Sequence, residues 1–159
     1  IVAIDGGHLK GEWKGVMLTL SCKDSNNKLV HVATVIAGKE NAASYQFLLR
    51  QAKRNPEMAV FLDNPKTTFF SDGHKGSPAA MKTEVPRAQH RTCVKHVINN
   101  LREAVGSTVN TAIFEAARAP KKSSFTSIMD KRVKPFKPVA YEQLMQREHA
   151  TWTHYASAQ

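Results

Sequence analysis

Asp5 and Asp72 stand alike in this sequence: each closes a short apolar run, each is followed by glycine, and a histidine, His8 or His74, comes two or three places on. Carboxylates at the ends of neighbouring strands would present hard oxygen ligands on rigid elements, which is how Mg2+ or Mn2+ is held at a fixed distance. Such a pair suits phosphoryl transfer, where divalent ions activate the attacking oxygen and stabilise the leaving one. An Asp before Gly more often simply makes a turn, so both readings stand on spacing alone. His8 and His74 fit contacts to an ion or to nucleic acid, although residues so placed more commonly support a ligand from behind or face solvent.

Cys93 and His96, three residues apart at the start of a helical stretch, could take Zn2+, but two ligands do not complete a tetrahedral site. The lesser reading is therefore zinc and the greater a structural role. His90 and Arg91 precede them, suited to phosphate contact, to folding the turn, or to plain exposure. Lys10 and Lys14 flank the first turn and Lys75 follows the second acid, positions from which they could steady a phosphate backbone. A denser basic group, Lys121, Lys122, Lys131, Arg132, Lys134 and Lys137, has Phe125 and Phe136 interspersed. A DNA-facing surface and an ordinary solvated face suit it equally. Trp13 and Trp152 read as packing residues rather than base-stacking platforms.

The 159 residues carry a formal charge of +10, and 42% are hydrophobic, enough for a continuous core. Residues 1–81 hold ten Lys/Arg against seven Asp/Glu and residues 82–159 hold thirteen against six, so the excess lies mainly in the second half. A polyanion is the natural partner for that charge, solubility its plainer explanation. No run approaches the roughly 18 apolar residues of a membrane span, and no secretory signal opens the chain. Two cysteines make no disulfide framework, which fits a reducing compartment. The chain starts with Ile1 inside an apolar run and is expected to be a piece of something longer.

Residues 1–5 predict a buried strand delivering Asp5 at its end, followed by a flexible GGHLKG turn. Strands over 16–22 and 29–37, separated by the turn-rich KDSNNK, complete a three-strand meander. Ala42, Tyr45, Leu48, Leu49 and Ala52 fall on one helical face behind an N-cap at Asn41, and that helix should end near Asn55-Pro56. Residues 58–62 read as a short strand or a connection, 67–71 as a strand, and Ser77-Pro78 as a helix start. A last strand over 88–92 precedes a helix with the stripe Val94, Val97, Ile98, Leu101 and Val105, stopped by Gly106. Beyond it the periods are helical only: 108–119, 123–131 and 139–147, punctuated by Pro120, Pro135 and Pro138. The expected class is α/β, a strand-rich body over residues 1–106 followed by an all-helical region over 107–159.

The stretches DGGHLKG, GVMLTLSCKDSNNKLVHVATVIAGKENAASYQFLL, FFSDGHKG and PRAQHRTCVKHVINNL resemble, in order and spacing, the catalytic domain of Mutator-like element (MULE) transposases. The likeness runs from Ile1 to about Leu101 and continues more loosely through IFEAARA, residues 125–129 and the tail from Trp152 to Tyr155. It implies an RNase H-like mixed sheet with flanking helices, the catalytic core, and then a helical insertion region. It also implies a DDE-type, Mg2+- or Mn2+-dependent DNA transposase that binds transposon ends and target DNA in the nucleus, with homo-oligomers an open alternative. Asp5 and Asp72 fall on the first two acidic positions. The family's Glu lies in an Asn-Asn-x-x-Glu context absent here, and Glu115, Glu142 and Glu148 read as solvated helix charges. These residues alone are therefore expected to stop short of that Glu and to cut poorly. Gly7 replaces the family's usual Thr. A domesticated DNA-binding or transcription factor that keeps the fold without cutting is the rival reading.

Overall fold

The computed structural model describes every residue except Trp13, His74, Lys75, Ala158 and Gln159. The described chain divides into two compact units, Ile1–Arg91 and Thr92–Gln159. The division falls inside the last strand, so the helix carrying the Val94 stripe belongs with the helical unit.

The first unit is built on a five-stranded sheet of order β3-β2-β1-β4-β5. Strands β1 (Val2–Leu9), β2 (Gly15–Lys23) and β3 (Leu29–Ala37) form the expected antiparallel meander. Side chains alternate across a strand, so Val16, Leu18 and Leu20 enter the core while Met17, Thr19 and Ser21 point the other way. The β2–β3 turn is closed by Asp24, whose Oδ1 accepts from the amides of Asn26 (2.9 Å) and Lys28 (2.8 Å), with Asn27 at φ 63°. Asn tolerates that left-handed conformation better than most residues. Strand β1 does not stop at Asp5. It continues through Gly6, Gly7 and His8 to Leu9, paired throughout with β2, so the expected flexible turn is strand instead. Two successive glycines weaken a strand on their own, and here the cross-strand ladder holds them.

Helix α1 (Ala42–Ala52) begins as expected at Asn41, whose side chain accepts from the Ser44 amide, and it buries Tyr45, Leu48, Leu49 and Ala52. The segment read as a strand or connection over 58–62 is helical: α2 spans Pro56–Leu62. Asn55-Pro56 ends one helix and starts the next, because the Asn55 carboxamide caps the Met58 amide at 3.0 Å and Pro suits the first helical turn. Strand β4 (Thr68–Ser71) then runs parallel to β1, α3 (Gly76–Glu84) packs against α1, and β5 (Gln89–Thr92) borders β4. Arg50 of α1 and Lys53, its C-cap, both reach Glu84 of α3, at 2.7 Å and 3.2 Å. The core gathers Val2, Ile4, Leu18, Leu20, Leu48, Leu62 and Phe69.

The second unit has a core of its own around Val97, Ile113, Ala116, Phe125, Met129, Val133, Leu144 and Trp152. Helix α4 (Val94–Asn99) is shorter than its apolar stripe predicted. The Gln143 side chain takes over beyond it, accepting from the Arg102 amide (3.0 Å) and donating to the Asn100 carbonyl (3.2 Å), so the backbone is satisfied without another helical turn. Helix α5 (Ser107–Arg118) precedes α6 (Lys122–Ile128), which runs into a π turn over Met129–Val133. Helix α7 (Pro138–Met145) takes its N-terminal cap from Glu103, whose Oε1 accepts from the Ala140 amide at 2.8 Å. A 3-10 turn (His149–Thr151) and α8 (His154–Ser157) close the unit, and no strand follows Thr92 among the described residues. Among the described residues no helix is long and apolar enough to cross a membrane.

Candidate active site

Strand β1 sits at the centre of the sheet, antiparallel to β2 on one side and parallel to β4 on the other. The parallel register pairs Val2 with Phe69 and Ala3 with Phe70. Carried two residues further, it levels Asp5 with Asp72, which follows the last residue of β4. In open α/β sheets ligands gather beyond the carboxyl ends of strands, and Asp72 stands at that end of β4. Asp5 is exposed, its Oδ1 accepting from the Gly6 amide at 3.0 Å. It stands within β1, four residues before the strand ends; the end that matters for the pair is that of β4.

Asp72 is steadied through its neighbour. The buried Ser71 Oγ lies 2.8 Å from His90 Nε2 and 3.0 Å from Ser77 Oγ, and accepts from the Gly73 amide at 3.2 Å. Gly73 has φ 80°, so only glycine enters this turn without strain. Burial lowers the His90 pKa below its ordinary value, so the imidazole is neutral and supports the turn by hydrogen bonding. His90 thus acts in the fold, on β5, rather than as a phosphate contact. Burial also lowers the pKa of neighbouring Arg91.

Two residues that sequence reading left out of the site are Glu40 and Tyr45. Tyr45, fully buried in α1, donates from its hydroxyl to Glu40 Oε1 at 2.5 Å. That oxygen leans on the strand, only 2.8 Å from where a Cβ on Gly6 would stand. The phenol pKa is pushed far above its usual value, first by burial, then by the hydrogen bond and charge of Glu40, then by the charges of Asp72 and Asp5. Tyr45 was legible only as a core residue, and no spacing signal tells that an acid before a helix cap reaches back to β1. A Cβ at Gly7 would have no described atom within 4 Å.

The donor set suits a hard cation. Mg2+ commonly takes one or two carboxylates and completes its shell with water and phosphate oxygens, which Asp5 and Asp72 satisfy in chemistry. No group of three His, Cys, Asp or Glu side chains able to hold an ion occurs among the described residues, so Cys93 and His96 gain no further ligand there. Cys93 is the N-cap of α4 and makes no side-chain cap bond; His96 Nδ1 is buried without a hydrogen-bond partner.

His8, Lys10 and Lys14 are exposed along the β1–β2 end of the sheet, while His74, Lys75 and Trp13 lie outside the described residues. In the helical unit Lys121, Lys122, Lys131, Arg132 and Lys134 are exposed. Arg132 pairs with Glu115, the Lys134 ammonium lies 5.3 Å from the Tyr141 ring centre, and Lys137 is 3.7 Å from Glu103. The two phenylalanines of this group part ways: Phe125 is wholly buried against Trp152, while Phe136 is exposed. Trp152 is a packing residue.

The fold is an α/β domain with Asp5 on β1 and Asp72 just after the parallel strand β4. Residues 1–100 match the family model of the MULE transposase domain, and the chain belongs to that family of Mutator-like transposase domains. No curated protein gives a significant match.

Proposed function

We propose that the chain carries the RNase H-like core of a DDE-type DNA transposase, with Asp5 and Asp72 as its first two catalytic carboxylates, acting on transposon ends and target DNA in the nucleus. The supporting observation is the β1–β4 register of Val2 with Phe69 and Ala3 with Phe70, which two residues further on would bring Asp5 level with Asp72, both within the segment that matches the family. Three antiparallel strands with β4 added parallel to β1 suit an RNase H-like sheet. Asp5 and Asp72 would hold Mg2+ or Mn2+, which when bound would activate the attacking oxygen and stabilise the leaving one in a phosphodiester exchange. The chain's own part is positional: the β1–β2 ladder fixes Asp5, and the Ser71–His90–Ser77 contacts fix the turn that presents Asp72. The basic excess would draw the DNA backbone in.

The test is Mn2+-dependent cutting of terminal-repeat DNA by the intact transposase. Asp5→Asn and Asp72→Asn should each lower the rate by about a hundredfold or more, the scale set by losing a positioned group. Variants that cut like the parent would remove the catalytic assignment; variants and parent that all bind DNA without cutting would favour the DNA-binding module.

A further inference from the structure

We infer that Phe136 is a stacking platform for an unpaired DNA base, presented on a rigid turn of the helical unit that lysines flank in sequence. The inference rests on the DNA-binding reading above and names the part of the nucleic acid this surface takes. Single exposed apolar side chains are common and need no function; Phe47 and Phe61, 51% and 38% exposed, are of that kind. Phe136 differs in exposure, rigidity and charge. At 68% it is the most exposed phenylalanine among the described residues, while Phe125 of the same unit is taken wholly into the core.

The turn is the run Lys134-Pro135-Phe136-Lys137-Pro138, in which each proline ring restricts the backbone. It follows the π turn, whose last residue, Val133, is fully buried, and the Val133 carbonyl accepts from the amides of Phe136 (3.1 Å) and Lys137 (2.8 Å). It leads into α7, where Glu103 Oε1 caps the Ala140 amide and Glu103 Oε2 lies 3.7 Å from the Lys137 ammonium. The backbone on both sides of the ring is thus ordered before a ligand arrives, so binding does not have to offset the ordering of a loop. The charge around it is one-sided. Residues 118–137 hold seven Lys/Arg against one acid, Asp130, which accepts from the Tyr141 hydroxyl at 2.8 Å. Lys131 and Lys134 are exposed and form no ion pair among the described residues. A flat apolar face amid cations suits a ligand that offers flat faces and phosphates together, which a nucleic-acid strand does. An apolar protein partner would desolvate these lysines without supplying counter-charge. Base faces in an intact duplex are covered by their own stack, so the ring takes a base where the strand is unpaired, with no unstacking to offset.

The experiment uses the 159-residue chain and two DNA probes, a blunt duplex and the same duplex with a single-stranded tail carrying a fluorescent base analogue that stacking quenches. Thermal midpoints are recorded for each variant, and an exposed ring can be replaced without loss of folding. Phe136→Ala should weaken binding of the tailed probe about five- to a hundredfold, the range for one base on one ring, and abolish the quenching. Blunt-duplex affinity and the salt slope should stay at the parent's values, because the ring carries no charge. Phe136→Trp should restore both affinity and quenching, and Phe136→Leu, apolar without a π face, should restore neither. Parent-like binding of the tailed probe by Phe136→Ala overturns the inference and leaves the DNA-binding reading standing. Full rescue by Leu overturns it in favour of an apolar contact, and an equal loss on both probes in favour of a contact to duplex. A parent chain that binds neither probe removes the DNA-binding reading and this inference with it.

Discussion

His90 shows how a single side chain ties the site to the stability of the fold. Its ring is partly buried against Ser71, one residue before Asp72, and burial lowers its pKa from 6.5. The folded chain resists a proton that the unfolded chain accepts, so the contribution of His90 is complete above the unfolded value and is lost as pH falls through it toward the lower folded value. Thermal midpoints should therefore drop as pH falls below 6.5, and His90→Gln should flatten that drop; a parent and variant with the same pH profile would contradict it. The residue types at Asp5 and Asp72 were legible because acid-glycine pairs closing apolar runs are visible in one dimension. The contacts that surround them were not: Glu40 reaches Gly6 across thirty-four positions, and Ser71 meets His90 across nineteen. Nothing local encodes such pairings, which arise when β4 and β5 line up beside β1.

At the scale of elements, the sheet depends on how closely α1 and α3 approach each other. Gly76, the first residue of α3, lies against the start of α1: a Cβ there would stand 2.8 Å from the Ala42 amide nitrogen and from the Asn41 carbonyl carbon. Both are backbone atoms of the helix start that follows Glu40, so they cannot rotate aside. Gly76→Ala should destabilise the chain by about 1–3 kcal/mol, as overpacking of a tight contact does. Chemical denaturation checks this; an unchanged midpoint would show that the two helices separate freely. The meander, α1 and the helical second half were readable from period and caps. Each misread element has its own cause: Asn55-Pro56 carries both a stop and a start signal, the Gly6-Gly7 pair is held as strand by β2 beside it, and beyond α4 the distant Gln143 side chain bonds the backbone.

For the molecule as a whole, the charge of +10 and the exposed lysines of the helical unit set an expectation for DNA. Binding should weaken steeply with salt, and Lys121→Ala with Lys122→Ala should reduce the slope of log affinity against log salt by up to about two, near 0.9 for each phosphate no longer neutralised. Arg132, already paired with Glu115, should matter less. A slope unchanged by the double substitution would remove this surface from the DNA interface. The central claim, however, concerns the two acids rather than the basic surface. It is tested most directly by growing crystals of the chain with Mn2+ and recording the anomalous signal at a wavelength where manganese scatters strongly. The account predicts a peak between Asp5 and Asp72, with an oxygen from each carboxylate about 2.1 Å away, close to the distance hard divalent ions adopt; Mn2+ at full occupancy elsewhere, with neither aspartate touching it, would contradict it.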